Sequence, residues 1–314
     1  MVGRAIAPLE RPRGLGPALR RAVQRPQFWF GLAVLGPIAV WYCVFAFAPI
    51  LRAFYMAVVD YQLLDPASSK FVGTKHFAKL LEYELFWIAL RNTLVYALGF
   101  LVAMVPLALL VASLLARVIR GRNLYLFFIF LPVVVSLVAI SLLFKYLLDA
   151  EVGPFNQILG ALGLPRSRFL TSVDSVLPTV IGVDVWKSLG FYVVILLAGM
   201  LTIPEHLYDA ARVDGANAWQ RFRNITLPLL GHTLTLVSIL IVLHGLSVYT
   251  IVVVMPEPPG GPGRAAYVMN LLVFEEAFSR LNFGLATAIA LALFLIVLAI
   301  TVIQLRLLRP RWSY

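Results

Sequence analysis

The sequence predicts an all-α, polytopic membrane protein with six transmembrane helices, and three observations predict it. Hydrophobic residues make up 61% of the 314 and charged residues 13%. Soluble domains carry about 45–50% apolar and about 25% charged residues. The apolar residues gather into six runs, each long enough to cross a bilayer core, which takes about 20 helical residues. The Lys and Arg residues gather into segments that a single orientation places on one side of the membrane.

The first 27 residues are basic, broken by Pro8, Pro12, Pro17 and Pro26, and read as a tail with one short helix near 18–23. The apolar run 28–51 contains Ala46-Phe47-Ala48, a pattern shared with secretory cleavage sites. It exceeds the h-region length of about 7–15 residues, and Pro49 follows the supposed site, so a retained span is expected. Further spans are expected at 87–116, 123–148, 176–203, 229–255 and 283–308. Pro106 and Pro132 predict kinks, because proline removes a helical donor and crowds the preceding turn. Neighbouring helices can satisfy the freed carbonyls. Residues 309–314 form a short tail.

With the N-terminus inside, the inner segments hold fifteen of the 26 Lys and Arg residues and four of the 15 Asp and Glu residues. The net charge of +11 therefore falls on one side, with both termini and the loop 204–228 cytoplasmic. This excess reads as topology signalling and contact with anionic lipid, not nucleic-acid binding. The outer loops are then 54–86, 149–175 and 256–282. The last opens on Pro258-Pro259-Gly260-Gly261-Pro262-Gly263, a turn-dense strip without helical pattern. Lys145 and Asp149 read as a surface pair, and Asn92 as a structural polar contact near the outer boundary.

Several chemistries are excluded. One cysteine, Cys43, allows no internal disulfide. The four histidines are isolated in sequence, without metal-ligand spacing. No Gly-rich phosphate loop occurs, so any ATP used is bound by another chain. An intramembrane enzyme would need a nucleophile–base set or metal ligands, and neither HExxH nor GxSxG appears. A stand-alone secondary transporter would be expected to show inverted repeats, broken helices or several membrane carboxylates. No repeat is evident, and Asp184 is the one deep carboxylate candidate.

The polar island Pro204–Pro228 separates the fourth and fifth spans. Tyr208–Ala216 reads as a short helix and Ala218–Ile225 as a second. Gly215 stands at the joint, where φ > 0 lets a helix end and turn. Pro228 suits the opening of the next helix. Glu205 and Asp209 lie in the first turns, where carboxylates complement the helix N-terminus. Ala210, Ala211, Gly215 and Ala216 leave one side shallow enough for close approach by another protein. Trp219 and Phe222 offer apolar anchors at i, i+3, and Arg212, Arg221 and Arg223 rim the element.

Asp209-Ala210-Ala211, Gly215 and Ile225-Thr226-Leu227-Pro228 resemble the EAA loop of binding-protein-dependent ABC importer permeases, with Asp209 where glutamate is usual. The string Ile203-Pro204-Glu205, then Tyr208 to Ala216 with Asp214, resembles the carbohydrate-uptake branch. Phe130-Leu131-Pro132, Val185-Trp186-Lys187-Ser188-Leu189-Gly190-Phe191, Gly260-Gly261-Pro262-Gly263 and Gln304-Leu305-Arg306-Leu307-Leu308 fit its maltose/glycerol-phosphate-type subfamily in the expected order.

The resemblance implies the type I importer permease fold in a prokaryotic cytoplasmic membrane. It implies two permeases, here a heterodimer with a second related chain, and two cytoplasmic ATPase subunits that bind ATP and Mg. It further implies an extracytoplasmic solute-binding protein. Glu205, Tyr208, Asp209, Ala210, Ala211, Arg212, Asp214, Gly215, Ala216, Trp219, Phe222, Ile225, Leu227 and Pro228 would form the ATPase-coupling loop, and no cofactor would sit in this chain. A disaccharide or oligosaccharide is the expected solute, with glycerol-3-phosphate and related phosphodiesters as the alternative.

Polar residues inside spans are costly and normally face the bundle interior or a cavity. Asp184 and Lys187, i, i+3 in the fourth span, read as an internal pair or as part of the solute pathway. Tyr192 is a further candidate there. His244, Ser247 and Tyr249 cluster in the fifth span, where a hydroxylated aromatic suits a sugar's apolar face and polar rim. Helix–helix hydrogen bonding is the competing reading for all of these.

Overall fold

The computed structural model describes residues 26–62, 65, 68–117 and 120–308. The tail 309–314 and all but the last two residues of the tail 1–27 lie outside that range. The chain divides into two compact units, 1–55 and 56–314. The described residues of the first unit form a single helical rod. Helix α1 (Pro26–Tyr42) passes through a π turn at Cys43–Phe47 into α2 (Ala48–Ala57). None of the α1 residues is buried, and an all-round apolar helix of this kind suits a lipid surrounding.

The π turn has a local cause. Pro49 lacks the N–H that would bond the carbonyl of residue 45, and its ring crowds the preceding turn. The wider turn, closed by the Ala48 N–H on the Cys43 carbonyl, makes room for it. The same device recurs at Phe222–Thr226, where the Leu227 N–H bonds the Phe222 carbonyl directly before Pro228. Pro37 and Pro106 sit in regular helix, so proline permits the wider turn without dictating it.

The second unit opens with a two-stranded antiparallel ribbon, β1 (Val59–Asp60) on β2 (Lys70–Phe71), followed by α3 (Lys75–Glu82). Helix α4 (Glu84–Arg117) comes next. After it come α5 (Arg122–Val134) and α6 (Leu137–Leu147), then the short α7 (Pro154–Ala161) and the long α8 (Val176–Leu201). The polar island forms α9 (Glu205–Val213), α10 (Ala218–Arg221) and α11 (Leu227–Leu229). The chain ends with α12 (Gly231–Leu246), α13 (Thr250–Val254), α14 (Met269–Phe274) and α15 (Phe283–Leu307). Among the described residues five helical stretches are long and apolar enough to cross a membrane. The α5–α6 pair makes a sixth if counted as one span, which gives the expected six.

Two spans depart from single helices. The third bends by 92° between α5 and α6. Pro132 was expected only to kink it, but Val135 and Ser136 leave the helical region, with ψ of 142° and 134°. The carbonyl of Val133, near the end of α5, accepts a bond from Lys187 Nζ at 3.4 Å, so packing supplies a donor at the break. The fifth span breaks at Ser247–Tyr249, where no Gly or Pro announces it. Asn270 Nδ2 donates to the Val248 carbonyl at 3.2 Å and satisfies it.

The core lies where α4, α8, α12, α14 and α15 meet. Along α4, Ala89, Thr93, Tyr96, Phe100, Met104, Ala108 and Ala112 are buried at three- or four-residue spacing, one stripe of a helix. Small residues let backbones touch, as is usual where helices pack within lipid. A Cβ on Gly245 would lie 2.7 Å from Ala97 Cα, and one on Gly190 would lie 2.9 Å from Phe130 Cα. These two glycines fix how closely α12 meets α4 and α8 meets α5.

Where α4 and α15 begin, a polar knot ties three segments. Tyr83 donates to Glu276 Oε1 at 2.6 Å, Arg280 bonds both of them, and Tyr267 donates to Glu275 Oε2 at 2.6 Å. Burial, and then the neighbouring carboxylates, push the Tyr83 and Tyr267 phenols above their usual range. Burial opposes the Arg280 charge, but the bond it donates to Tyr83 and the charge of Glu276 outweigh it and raise its pKa. The loop 256–282 holds α14 and a π turn, Glu275–Ser279, beyond its turn-dense opening strip. Asn92 bonds the carbonyls of Arg264 and Tyr267, as a structural contact should. Lys145 and Asp149 do not pair. Lys145 bonds Glu257, while Asp149 caps its own turn through the N–H groups of Glu151 and Val152, which lower its pKa.

Candidate functional site

The polar island folds as two helices about one turn. The first starts three residues earlier than expected, at Glu205, because Pro204 takes extended backbone (ψ 132°) at the N-cap. It ends as predicted around Gly215, whose φ is +76°. The Ala216 N–H bonds the Ala211 carbonyl at 2.9 Å, and the Gly215 N–H bonds the Arg212 carbonyl at 3.1 Å. These two bonds make a Schellman motif, with Asp214 as C-cap. Two residues on, Asn217 caps α10. Its side chain accepts from the Gln220 N–H at 2.9 Å, and Gln220 Oε1 accepts from the Asn217 N–H at 2.7 Å. This reciprocal capping box leaves the turn little freedom.

From Ala218 the backbone stays helical through the π turn at Phe222–Thr226 into α11, then meets α12 after Leu230. Ile225 lies half-buried in the π turn, Leu227 is half-buried beyond it, and Pro228 is exposed. The two helices are tied by Tyr208 Oη and Thr226 Oγ1, 3.0 Å apart. Arg221 also bonds the Ala216 carbonyl across the turn. The element is thus a closed hinge piece continuous with a membrane helix.

The expected residue set is partly accessible. Glu205, Asp209, Ala210, Arg212, Asp214 and Gly215 are exposed, and Ala211 and Ala216 are half-buried. The Trp219 and Phe222 rings stack at 5.6 Å, and Trp219 is 66% exposed. Asp209 and Arg212 pair at 2.6 Å, both 58% exposed, so the pair adds about 0–1 kcal/mol. Sequence reading missed Asn217 and Gln220, and gave Thr226 no role beyond its place in the Ile225–Pro228 string. The Asn-x-x-Gln spacing was a visible capping-box signature. Replacing Asn217 by alanine is expected to cost about 1 kcal/mol of local helix stability. Hydrogen exchange at the Gln220 amide should then quicken about five-fold.

A second polar group lies inside the spans. Asp184, 1% exposed, is met by Tyr96 Oη at 2.7 Å and His244 Nε2 at 2.8 Å, both on Oδ2, and by Ser188 Oγ at 3.2 Å on Oδ1. It does not pair with Lys187, which turns to the α5 break instead. The i, i+3 spacing put the two on neighbouring positions, but packing gave Asp184 hydrogen-bond partners from α4 and α12. His244 also stacks on Phe100, ring centroids 4.8 Å apart. Tyr192 is buried, edge-on to Phe100. Ser247 is exposed at the α12–α13 break, and Tyr249 lies against Phe274 at 5.6 Å. The sequence candidates therefore separate into a buried set (Asp184, Tyr192) and an accessible set (His244, Ser247, Tyr249). Tyr96, Phe100 and Ser188 join the buried set without any local signal.

Known proteins place this arrangement. The chain is 29% identical over 281 residues to the trehalose/maltose transport system permease of Thermococcus litoralis, covering 90% of this chain and 94% of that one. It is 30% identical over 287 residues to the diacetylchitobiose uptake system permease of Streptomyces coelicolor, covering 87% and 80%. Among solved structures it is similar to a chain of a bacterial alginate ABC transporter, crystallised with its alginate-pentasaccharide-bound periplasmic protein. The TM-score is 0.79 at 26% identity, covering 94% of this chain and 97% of that chain. Residues 104–314 match the family described as binding-protein-dependent transport system inner membrane component, and the chain belongs to that family.

Proposed function

We propose that this chain is the membrane-spanning subunit of an ATP-driven importer for a disaccharide or oligosaccharide. A binding protein on the outer face delivers the solute, and a second, related permease completes the pathway. Two ATPase subunits on the cytoplasmic face bind ATP and Mg²⁺ and hydrolyse the nucleotide. The saccharide reading rests on the relatives, whose names specify trehalose/maltose, diacetylchitobiose and alginate. The glycerol-phosphate alternative gains no support from them.

The observation that carries the mechanism is the closed hinge piece at 204–228. Coupling needs a lever that moves as one body. The Schellman turn at Gly215, the Asn217 box and the Tyr208–Thr226 tie hold α9 and α10 together, and the helical backbone passes on towards α12. In this reading the exposed Ala210 side and the open Trp219 ring enter a cleft on the ATPase. Closure of the ATPase pair then pushes the lever, and the fifth span carries the push to the solute pathway, alternating its access between the two faces.

The test is Ala210→Glu in the full complex. A charge on the shallow face is expected to cut co-purified ATPase subunit or binding-protein-stimulated ATP hydrolysis at least ten-fold, with the permease still in the membrane. Undiminished stimulation and uptake would remove the coupling role from this face.

A further inference from the structure

We infer that Asp184 acts on solute recognition through His244, holding its ring so that Nδ1–H points as a hydrogen-bond donor into the translocation pathway. The inference rests on the proposed saccharide-import function for its physiological meaning, though not for its geometry.

Asp184 is nearly inaccessible and lies within a membrane span. Among the described residues its one ion-pair partner is His244. The remaining neighbours of its oxygens, the Tyr96 and Ser188 hydroxyls, donate hydrogen bonds without carrying charge. A lone carboxylate charge at this depth is costly, so electroneutrality falls to the Asp184–His244 pair. With the Tyr96 and Ser188 hydroxyls both donating, which leaves no acceptor for an acid proton on Oδ1, two states of the pair are neutral. In one, the carboxylate faces an imidazolium, with protons on both ring nitrogens. In the other, the carboxylic acid donates to Nε2 of a neutral ring, whose proton then sits on Nδ1. The shared proton differs between them, and the Nδ1 proton does not. Either way the free edge of the ring is a donor. The state with Nδ1 as an acceptor leaves a net negative charge buried.

That edge is open. The His244 side chain is 36% exposed, against 1% for Asp184. Nδ1 makes no hydrogen bond within the described chain and is not among its buried unpartnered atoms. One ring face is fixed by stacking on Phe100 at 4.8 Å. Position, plane and protonation of the free edge are thereby all set from behind. Three residues on, the helix breaks at the exposed Ser247, and Tyr249 follows, so the donor stands beside the accessible hydroxyls. A fixed donor of this kind suits the acceptor oxygens of a saccharide, whether hydroxyl, ring oxygen or carboxylate. Asp184 is therefore a positioning residue, out of the solute's reach.

The experiment is nitrogen NMR on the ¹⁵N-histidine-labelled complex in lipid nanodiscs, with the His244 signals assigned by their loss in His244→Gln. The wild type is expected to show a protonated Nδ1 at neutral pH. In Asp184→Asn the buried charge is gone, the amide oxygen accepts from Nε2–H, and Nδ1 should become unprotonated. An unprotonated Nδ1 in the wild type overturns the inference, and this reading needs no known solute. In parallel, uptake of maltose, trehalose and diacetylchitobiose is measured in proteoliposomes with the partner subunits. Asp184→Asn and His244→Gln are each expected to raise the half-saturating concentration about ten-fold, the loss of one well-placed hydrogen bond. The double variant should be no worse than His244→Gln alone. Additive losses overturn the positioning role. Failure of the wild type to carry any saccharide counts against the saccharide reading alone, and the NMR result then stands by itself.

Discussion

Gly190→Ala is expected to destabilise the isolated chain by about 1–3 kcal/mol, the usual penalty for overpacking, whereas Gly182→Ala on the same helix is not. The added Cβ at 190 would meet backbone, the carbonyl group of Ile129 and the Cα of Phe130, with the nearest contact well inside van der Waals range. Backbone cannot rotate away as a side chain can, so α8 would have to separate from α5. That separation would also draw Lys187 off the Val133 carbonyl at the α5–α6 break. At Gly182 nothing lies within 4 Å of the added atom, and alanine gains up to about 1 kcal/mol of helix propensity over glycine. Thermal unfolding of the two purified variants in detergent gives the comparison. Equal midpoints would mean that the α5–α8 contact can relax and does not fix the bundle.

The contrast between these two glycines shows what the sequence made legible. Span positions were readable, because length and apolarity are properties of a run and need no partner. The hinge at Gly215 was readable for a related reason: a left-handed residue between two short helices is a local demand. The capping box at Asn217 was equally local and was overlooked. Tertiary partners were not readable. Asp184 has a cation three residues away in Lys187, yet it bonds residues 88 and 60 positions distant. The α12–α13 break has no local breaker, since Asn270 from another segment satisfies the freed carbonyl. The 92° bend after Pro132 exceeds a proline kink because two non-helical residues, Val135 and Ser136, follow it. In each case the deciding donor comes from a helix that only folding brings near.

Replacing Gly215 by proline is expected to abolish solute uptake while leaving the chain folded in the membrane. Proline fixes φ near −65° and has no N–H, whereas Gly215 stands at φ +76° and donates to the Arg212 carbonyl. The substitution therefore removes the left-handed residue after the C-cap, and with it the bond from Ala216 to Ala211 that closes the Schellman turn. The spans should survive, because Gly215 is exposed and a Cβ there meets nothing within 4 Å. What is lost is the register between α9 and α10: Asn217 and Gln220 can still cap α10, but Tyr208 no longer stands opposite Thr226. A lever with a free joint transmits no displacement, so ATP hydrolysis and uptake should separate. In reconstituted complexes, uptake is expected to fall at least a hundred-fold. Bound ATPase subunit should fall less, because Trp219 and Phe222 remain stacked on α10. Gly215→Ala keeps the N–H and carries only the left-handed strain of about 1–2 kcal/mol, and is expected to lose far less uptake. If proline and alanine at 215 act alike, the turn serves only as a connector, and the force must enter elsewhere.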